Sequence, residues 1–242
     1  MTFKSFGMVA TDTTRTRAYL AAMERAGILP SFVLFLPNET STRKPGQAGD
    51  QDSNCIIDND WPEAQFSLTD PILPWIERLN IQVEIAPSGD INDNRVVDAV
   101  AKCEPSILVY SGYGGVLLKG QVLNAGKRFL HVHGGYLPDF KGSTTNYFSM
   151  LSHGLIGASA IYLTPEIDCG PILIRRWFPA PPQRGDLDHV YDSAARARVL
   201  VEVLTKLSDQ QNLDAKASSN MIGDTFYIIH PVLKHLAILS DC

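Results

Sequence analysis

Two histidines at alternate positions are the residues of this sequence best suited to chemistry. His131 and His133 lie in a short apolar run, and side chains two positions apart project from the same face of a strand. A glycine pair and a Leu-Pro dipeptide follow at once, so the chain leaves the strand in a sharp turn. Asp168 follows in a loop between two further strand candidates. Two imidazoles with a carboxylate nearby indicate a general acid–base site.

The same residues allow plainer interpretations when each is taken alone. A histidine in a strand is usually a polar side chain with a local partner, and Asp168 followed by Cys169 and Gly170 is typical of a turn. His-x-His is also a metal-ligand spacing, but no third ligand stands near it in a metal-binding pattern. We therefore expect no metal, and the order of the signals along the chain favours acid–base chemistry.

That order resembles the pattern of the folate-dependent formyltransferases, which act on glycinamide ribonucleotide, methionyl-tRNA or nucleotide-linked sugars. Their pattern is Asn-x-His, an apolar-Leu-Pro segment, a basic-Gly pair and a later Asp-x-Gly loop. The corresponding segments of this chain are His131-Val132-His133, Tyr136-Leu137-Pro138, Lys141-Gly142 and Asp168-Cys169-Gly170. The resemblance implies that 10-formyltetrahydrofolate is the formyl donor and that an amine is the acceptor.

The resemblance also implies a role for each residue of the site. His133 matches the acid–base histidine, and Asp168 matches the aspartate that orients the imidazole and favours its cationic form. His131 replaces the asparagine that donates a hydrogen bond to the developing oxyanion. A histidine can also donate through a ring N–H, or His131 only supports His133. Gly134 stands where similar short formyltransferases usually carry proline, and we expect a changed turn there without lost activity.

Two further segments are candidates for binding the substrates. By resemblance, the loop Tyr113-Gly114-Gly115-Val116-Leu117 contacts the pterin of the donor. Its spacing is not G-x-G-x-x-G, so a nicotinamide site is not expected. Ser143, Thr144 and Asn146 follow the Lys-Gly pair and are candidates for binding the acceptor. Equally, Ser143 or Thr144 only caps the following helix.

These residues need a scaffold, and the hydrophobic pattern predicts one. The predicted strands are residues 3–10, 31–36, 81–86, 106–111, 128–132, 157–163 and 171–178. The predicted helices are residues 15–26, 70–79, 92–102, 143–153 and 187–207, with 117–123 helical or a long turn. The alternation predicts an α/β fold with a Rossmann-like, mainly parallel sheet flanked by helices. Such sheets bind ligands at the carboxyl ends of their strands.

The same pattern predicts how the chain is divided. We expect a catalytic domain over residues 1–180 and a small C-terminal appendage of a helix and a strand-like segment over residues 181–242. The polar stretch 38–69 is long for a connection in a compact domain, and we expect a partly ordered flap. The apolar C-terminal segment either makes a homodimer or covers the edge of the sheet.

The composition of the chain predicts its cellular compartment and argues against one class of partner. The 242 residues carry a net charge of −5, and their four cysteines have no paired or metal-like spacing. There is no signal-peptide pattern and no apolar run of membrane-spanning length, so we expect a cytoplasmic protein. The acidic balance argues against nucleic acid as a partner. We therefore expect a small-molecule amine as the acceptor.

The expected acceptor is an amino sugar or its nucleotide-linked form. The first loop reads Thr11-Asp12-Thr13-Thr14-Arg15 in place of the glycine-rich phosphate loop of the glycinamide ribonucleotide enzymes. Neither a basic surface nor an added tRNA-binding domain is expected, which argues against methionyl-tRNA. Arg15 and Arg17 either meet a phosphate or carboxylate of the substrate or remain solvated.

Three other functions remain open at this point. Water in place of the amine would make the chain a 10-formyltetrahydrofolate hydrolase. A change from asparagine to histidine that ended the chemistry would leave a non-catalytic folate- or sugar-binding relative. A metal-dependent enzyme built on the two histidines is the last alternative.

Overall fold

The computed structural model describes residues 5–38, 61–209 and 222–240, and the chain divides into two compact units. The first unit runs up to Phe129 and the second begins at Leu130. The expected flap falls largely on residues 39–60, which lie outside the described residues. Its described end is ordered, since Trp61 and Phe66 are buried in the first unit.

The first unit is a parallel sheet with helices. Its strands are β1 (Gly7–Ala10), β2 (Phe32–Phe35), β3 (Gln82–Ile85) and β4 (Ile107–Ser111). Its helices are α1 (Thr14–Ala26), α2 (Ile72–Arg78), α3 (Asn94–Lys102) and the short α4 (Gly120–Leu123), with a 3₁₀ turn at Pro62–Ala64. The strand order is β3-β2-β1-β4, and each neighbouring pair is parallel. The α/β prediction is confirmed, because strands and helices alternate around a parallel sheet.

The start of α1 shows how the sequence specifies this unit. The Thr13 side chain accepts a hydrogen bond from the Thr16 N–H at 3.2 Å, which satisfies one of the free donors of the first helical turn. Gly27 ends the helix in the left-handed conformation, with φ at 66°. The run of hydroxyl residues therefore predicts the start of this helix correctly.

The second unit contains the residues with the predicted chemistry. Its strands are β5 (Arg128–His133, which begins just before the boundary), β6 (Phe140–Gly142), β7 (Leu155–Tyr162), β8 (Ile172–Pro179) and β9 (Asp224–Phe226). Its helices are α5 (Thr145–His153), α6 (Asp192–Ser208) and α7 (Pro231–Leu239). A 3₁₀ turn at Arg184–Asp186 and a π-helical turn at Leu187–Tyr191 lead into α6.

Pairing in the second unit is mainly antiparallel. β7 pairs with β5 on one side and with β8 on the other, and both pairs are antiparallel. The two strands that flank the Asp168 loop thus pair with each other. β6 and β9 form a separate parallel pair of three residues each, which the sequence pattern did not reveal.

The predicted domain boundary at residue 180 does not coincide with a break between compact units. Helix α6, which the prediction assigned to the appendage, packs against β7 and β8 of the same unit. The division into a catalytic domain and an appendage stays a prediction. Among the described helices, none combines the length and the apolar character that crossing a bilayer requires.

Candidate active site

His133 ends β5 as a buried imidazole with polar contacts at both ring nitrogens. Its residue surface is only 5% exposed. Nδ1 lies 3.3 Å from Asp168 Oδ1, and Nε2 lies 2.8 Å from the Phe140 carbonyl oxygen. The Phe140 carbonyl and the Asp168 carboxylate only accept hydrogen bonds, so each is a partner for an N–H of the imidazole. The imidazolium, which carries hydrogens on both ring nitrogens, would donate to both neighbours.

The loop between β7 and β8 presents Asp168 to this imidazole. Asp168 has a φ of 52°, a backbone conformation uncommon for residues other than glycine. The Gly142 N–H donates to Asp168 Oδ2 at 2.9 Å, so the second carboxylate oxygen is also held. A Cβ on Gly170 would overlap the Tyr162 carbonyl oxygen. The glycine of the Asp-x-Gly segment therefore lets the loop fold close to β7.

The turn after His133 is held by backbone contacts that leave room for the ring. A Cβ on Gly135 would lie 2.7 Å from both His133 Nε2 and the Phe140 carbonyl oxygen, closer than side-chain atoms approach. The Ser159 hydroxyl donates to the Gly135 carbonyl at 2.7 Å and accepts from the Leu137 N–H at 3.0 Å. Gly135 is thus required for the contact between the imidazole and the Phe140 carbonyl.

The electrostatic surroundings act on His133 in opposite directions. Burial lowers the pKa of His133 below its ordinary value, because the imidazolium loses its hydration. Asp168 raises the pKa, as expected from the sequence, and Arg196 lowers it. The effect of burial prevails, so the resting imidazole is neutral at neutral pH. A neutral imidazole beside a carboxylate can accept one proton.

His131 lies two residues before His133 and is half-buried. In the antiparallel pair, His131 stands opposite Ile161 and His133 opposite Ser159. The alternation of the strand directs both imidazoles to the same face. Over residues 5–38, 61–209 and 222–240, no three His, Cys, Asp or Glu side chains come together as metal ligands. The role of His131 as an oxyanion donor stays a prediction.

A small cavity adjoins His133 in the second unit. Its volume is about 160 Å³. It is lined by the histidine, glycines and residues of α5, α6 and the π-helical turn, namely His133, Gly134, Gly142, Thr144, Thr145, Asn146, Tyr147, Leu187, Asp188, Asp192 and Arg196. Two of the three predicted acceptor residues, Thr144 and Asn146, line this cavity. The third, Ser143, is exposed and does not line it.

The predicted acceptor residues already have partners in the protein. The Asn146 side chain accepts from the Gly157 N–H at 2.7 Å and donates to Asp192 Oδ1 at 2.9 Å. Thr144 precedes α5, but its hydroxyl does not cap the helix and instead accepts from the Ile229 N–H at 2.9 Å. Both contacts stabilise the unit, and a role in acceptor binding stays a prediction.

Asp192 and Arg196 are the residues near the histidine that sequence reasoning missed. They form an ion pair of 2.7 Å between Arg196 Nε and Asp192 Oδ2. Their spacing of four residues on a helix is a visible signal in the sequence. Nothing in the local pattern shows that this face of α6 packs beside His133, and the segment was assigned to the appendage.

The predicted donor loop lies in the first unit. The Asn92 side chain accepts from the Lys119 N–H at 2.7 Å and donates to the Leu117 carbonyl at 3.0 Å, which fixes the end of the loop. Gly115 has a φ of 79°, so this position requires glycine. Val116 and Leu117 are exposed apolar side chains. Exposed apolar side chains on a fixed loop suit a ring-shaped ligand, and donor binding here stays a prediction.

The two arginines of the first helix have structural partners within the first unit. Arg15 donates to the Gly112 carbonyl and lies 3.4 Å from Ser111 Oγ. Arg17 is buried, pairs with Asp12 at 2.6 Å and donates to the Asp70 carbonyl at 2.8 Å. Neither arginine is simply solvated, because each ties α1 to a neighbouring loop.

The chain matches a known protein family over more than half of its length. The family described as formyl transferase matches residues 62–204, more than half of the chain. The chain belongs to the formyl transferase family. The matched range includes His131, His133 and Asp168 together with the predicted donor loop. Enzymes of this family transfer one-carbon groups with folate donors.

Individual relatives cover less of the chain. A methionyl-tRNA formyltransferase of Rhodopirellula baltica is 30% identical over 110 residues, which are 45% of this chain and 32% of the relative. A formyltetrahydrofolate deformylase of Escherichia coli strain K12 is 27% identical over 112 residues, which are 44% of this chain and 40% of the relative. The chain thus matches less than half the length of these curated relatives.

A solved structure extends the likeness in fold. The sugar N-formyltransferase from Shewanella sp FDAARGOS_354 aligns with a TM-score of 0.54 at 13% identity. The alignment covers 97% of this chain and 87% of that one. At this identity the likeness concerns the fold alone. The formyltransferase fold predicted from the sequence is confirmed.

Proposed function

We propose that the protein is an N-formyltransferase that moves a formyl group from 10-formyltetrahydrofolate to the amine of a small acceptor. The observation that carries the proposal is the buried His133, which lies between Asp168 and the Phe140 carbonyl in a member of this family. A neutral imidazole with a carboxylate at 3.3 Å is suited to taking a proton from an attacking amine.

His133 and Asp168 would carry the proton through the reaction. As the amine nitrogen bonds to the formyl carbon, the imidazole of His133 takes the proton that the amine loses. Asp168 stabilises the resulting imidazolium by charge and by its contact with Nδ1. When the bond from the formyl carbon to the folate nitrogen breaks, His133 returns the proton to that nitrogen. His133 and Asp168 then return to the state in which they began the reaction.

His131 would act on the formyl oxygen. That oxygen becomes negatively charged while the carbon is tetrahedral, and a ring N–H of His131 can donate a hydrogen bond to it. Preorganised donors of this kind typically contribute about 3 to 4 kcal/mol to transition-state stabilisation. The common face of His131 and His133 on β5 supports this assignment.

The donor would be held by the loop from Tyr113 to Leu117. Gly114 and Gly115 expose backbone groups to a polar ring edge, and Val116 and Leu117 offer apolar contact. Donor binding supplies the activated formyl group, and the loop's task is to hold that group in place.

The proposed acceptor is an amino sugar or a nucleotide-linked amino sugar. The acidic composition supports this class over a tRNA. The small polar cavity beside His133 accommodates few atoms, which suits an amine on a compact ring. Ser143, Thr144 and Asn146 remain the proposed acceptor residues. A homodimer remains a prediction as well.

Hydrolysis is the second candidate function. The similarity to formyltetrahydrofolate deformylases, comparable in extent to that with methionyl-tRNA formyltransferases, favours it. In that reaction water would attack the formyl carbon in place of the amine, and His133 would take the proton of the water. The residues are the same, and only the need for an acceptor differs.

The first experiment measures tetrahydrofolate release from 10-formyltetrahydrofolate, with and without a panel of nucleotide-linked amino sugars. We expect release that depends on an acceptor and that falls by about 10² to 10⁴-fold in His133→Ala. His235→Ala, which removes an exposed histidine of α7, is the matched control and should keep the wild-type rate. Release without any acceptor would identify the hydrolase. Full turnover in His133→Ala would remove this residue from the mechanism.

A further inference from the structure

Asp192 and Arg196 form a polar bridge from α6 to the carboxyl end of β5. The Arg196 Nη1 donates to the Val132 carbonyl at 3.1 Å, next to His133 in the chain. The Asp192 Oδ1 accepts from Asn146 Nδ2 at 2.9 Å, so the bridge also reaches α5. The Asp192 and Arg196 side chains are only 22% and 18% exposed. Ion pairs this sheltered are less screened than surface pairs.

Gly134 leaves the space that this ion pair fills. A Cβ built on Gly134 would overlap the Asp192 carboxylate and the Arg196 guanidinium. The Thr145 hydroxyl donates to the Gly134 carbonyl and holds the backbone at this point. A larger residue at position 134 would therefore displace the ion pair unless the backbone moved. The ion pair can thus occupy its position because residue 134 has no side chain.

The pair also acts on His133 by its charge. The described groups that act on the imidazole are Asp168 from the β7–β8 loop, Arg196 and Asp192 from α6, and the Phe140 carbonyl. Arg196 lowers the pKa of His133, and Asp192 raises it. The two effects oppose each other, and that of Arg196 is the larger. Removal of either member leaves the other uncompensated beside a buried imidazole.

We propose that Asp192 and Arg196 are a positioning pair for His133, built into the space that Gly134 leaves open. The pair acts through His133 and through the backbone on either side of it, at Val132 and Gly134. Its effect on turnover rests on the proposed function, whereas its effect on the histidine is a property of the unliganded protein. The two can therefore be tested separately.

The test is an NMR titration of the His133 ring in the full chain without ligands, compared with pH profiles of kcat/KM. Arg196→Gln removes a positive charge and leaves Asp192, so the pKa of His133 should rise. Asp192→Asn removes a negative charge and leaves Arg196, so the pKa should fall. Both variants should also lower kcat/KM by on the order of tenfold, because the end of β5 loses an anchor.

If the pKa of His133 shifts in opposite directions in the two variants, the pair positions the histidine and is more than a structural bridge. If the pair only holds the fold together, both variants loosen the same contact and shift the titration of His133 in the same direction. That outcome, or an unchanged titration in both, would overturn the proposal. Arg176→Gln is the matched control, since it breaks the exposed Arg176–Glu202 pair of the same unit and should leave His133 unchanged. Arg196→Lys keeps the charge and should restore the titration of His133.

Gly134→Ala gives a second test that does not depend on removing a charge. In the wild-type background the added Cβ displaces the pair, and we expect kcat/KM to fall by on the order of tenfold. In the Arg196→Gln variant the space beside residue 134 is already altered, so Gly134→Ala should lower kcat/KM by a smaller factor there. The effects of the two substitutions on kcat/KM should therefore not be additive. Additive effects would overturn the proposal. Absence of formyl transfer together with opposite NMR shifts would reject the proposed function but keep the positioning pair.

Discussion

At the scale of single residues, the site depends on the environment of one imidazole. The sequence predicts His133 and Asp168 as partners, and the structure brings them to 3.3 Å. The sequence does not reveal the balance of effects on the histidine, because burial and the charges of α6 depend on contacts far along the chain. The local pattern thus predicts the reacting groups, and tertiary contacts decide the protonation of His133.

The first prediction at this scale concerns Asp168→Asn. The amide preserves the shape of the side chain but removes the negative charge that raises the pKa of His133. The pKa should therefore fall further, and the acid limb of the kcat/KM profile should move to lower pH. Without the carboxylate, the imidazolium is not stabilised, and we expect kcat/KM to fall by about 10² to 10⁴-fold.

The matched control is Asp139→Asn, which changes an exposed carboxylate in the segment that follows the catalytic turn. It should leave both the profile and the rate unchanged. Wild-type turnover in Asp168→Asn would mean that another group carries the proton, and the assignment of the acid–base pair would then be wrong.

At the scale of elements, hydrophobic periodicity and turn residues predicted most of the scaffold. β4, β5, α1, α5 and the β7–β8 pair lie close to their predicted positions because each carries its own local signal. The β6–β9 pair was missed, since three-residue strands have no periodicity and their partners are far apart in sequence. The contact of α6 with the end of β5 was missed for the same reason. Contacts between segments that are far apart in the sequence cannot be read from a local sequence pattern.

The prediction at this scale concerns the β7–β8 loop. Gly170→Ala places a Cβ against the Tyr162 carbonyl oxygen, and backbone cannot move aside as a flexible side chain can. The loop must shift, which should cost about 1 to 3 kcal/mol of unfolding free energy. The shift also moves Asp168 from His133, and a displacement of about 1 Å is expected to lower kcat/KM by about 10²-fold.

Urea unfolding and steady-state kinetics measure the two effects. Gly185→Ala is the control, because a Cβ there meets no atom within 4 Å and the residue is exposed in the 3₁₀ turn Arg184–Asp186. If Gly170→Ala lost stability but kept full activity, the loop would not be what positions Asp168.

At the scale of the whole molecule, the family and the fold follow from one ordered set of motifs, while the acceptor does not. The chain is similar to a methionyl-tRNA formyltransferase and to a formyltetrahydrofolate deformylase, and the proposed reacting groups suit both transfer and hydrolysis. Acceptor choice depends on the shape and charge around the site, which many separate segments build. The motifs therefore predict the reaction class better than the substrate.

The last prediction links the site to the stability of the molecule through pH. His133 is buried with a pKa below its ordinary value of 6.5, so near and below that pH the unfolded chain binds more protons at this residue than the folded chain. Stability rises with pH where the unfolded state binds more protons. The contribution of His133 is thus fully present above pH 6.5 and is lost as the pH falls from 6.5 towards the lower folded value.

The carboxylates whose pKa values are lowered are Glu24, Asp93 and Glu202, and they lose their contributions only below their ordinary values of 4.5 for the glutamates and 3.8 for the aspartate. Between pH 6.5 and pH 4.5, the urea midpoint of the wild type should fall as the pH falls, and that of His133→Asn should fall less steeply. His235→Asn, which changes an exposed histidine, should follow the wild type. Parallel curves for wild type and His133→Asn between pH 6.5 and 4.5 would mean that the folded protein holds His133 with its ordinary proton affinity. The imidazole would then be partly cationic at rest, and the neutral base on which the proposed proton transfer depends would be lacking.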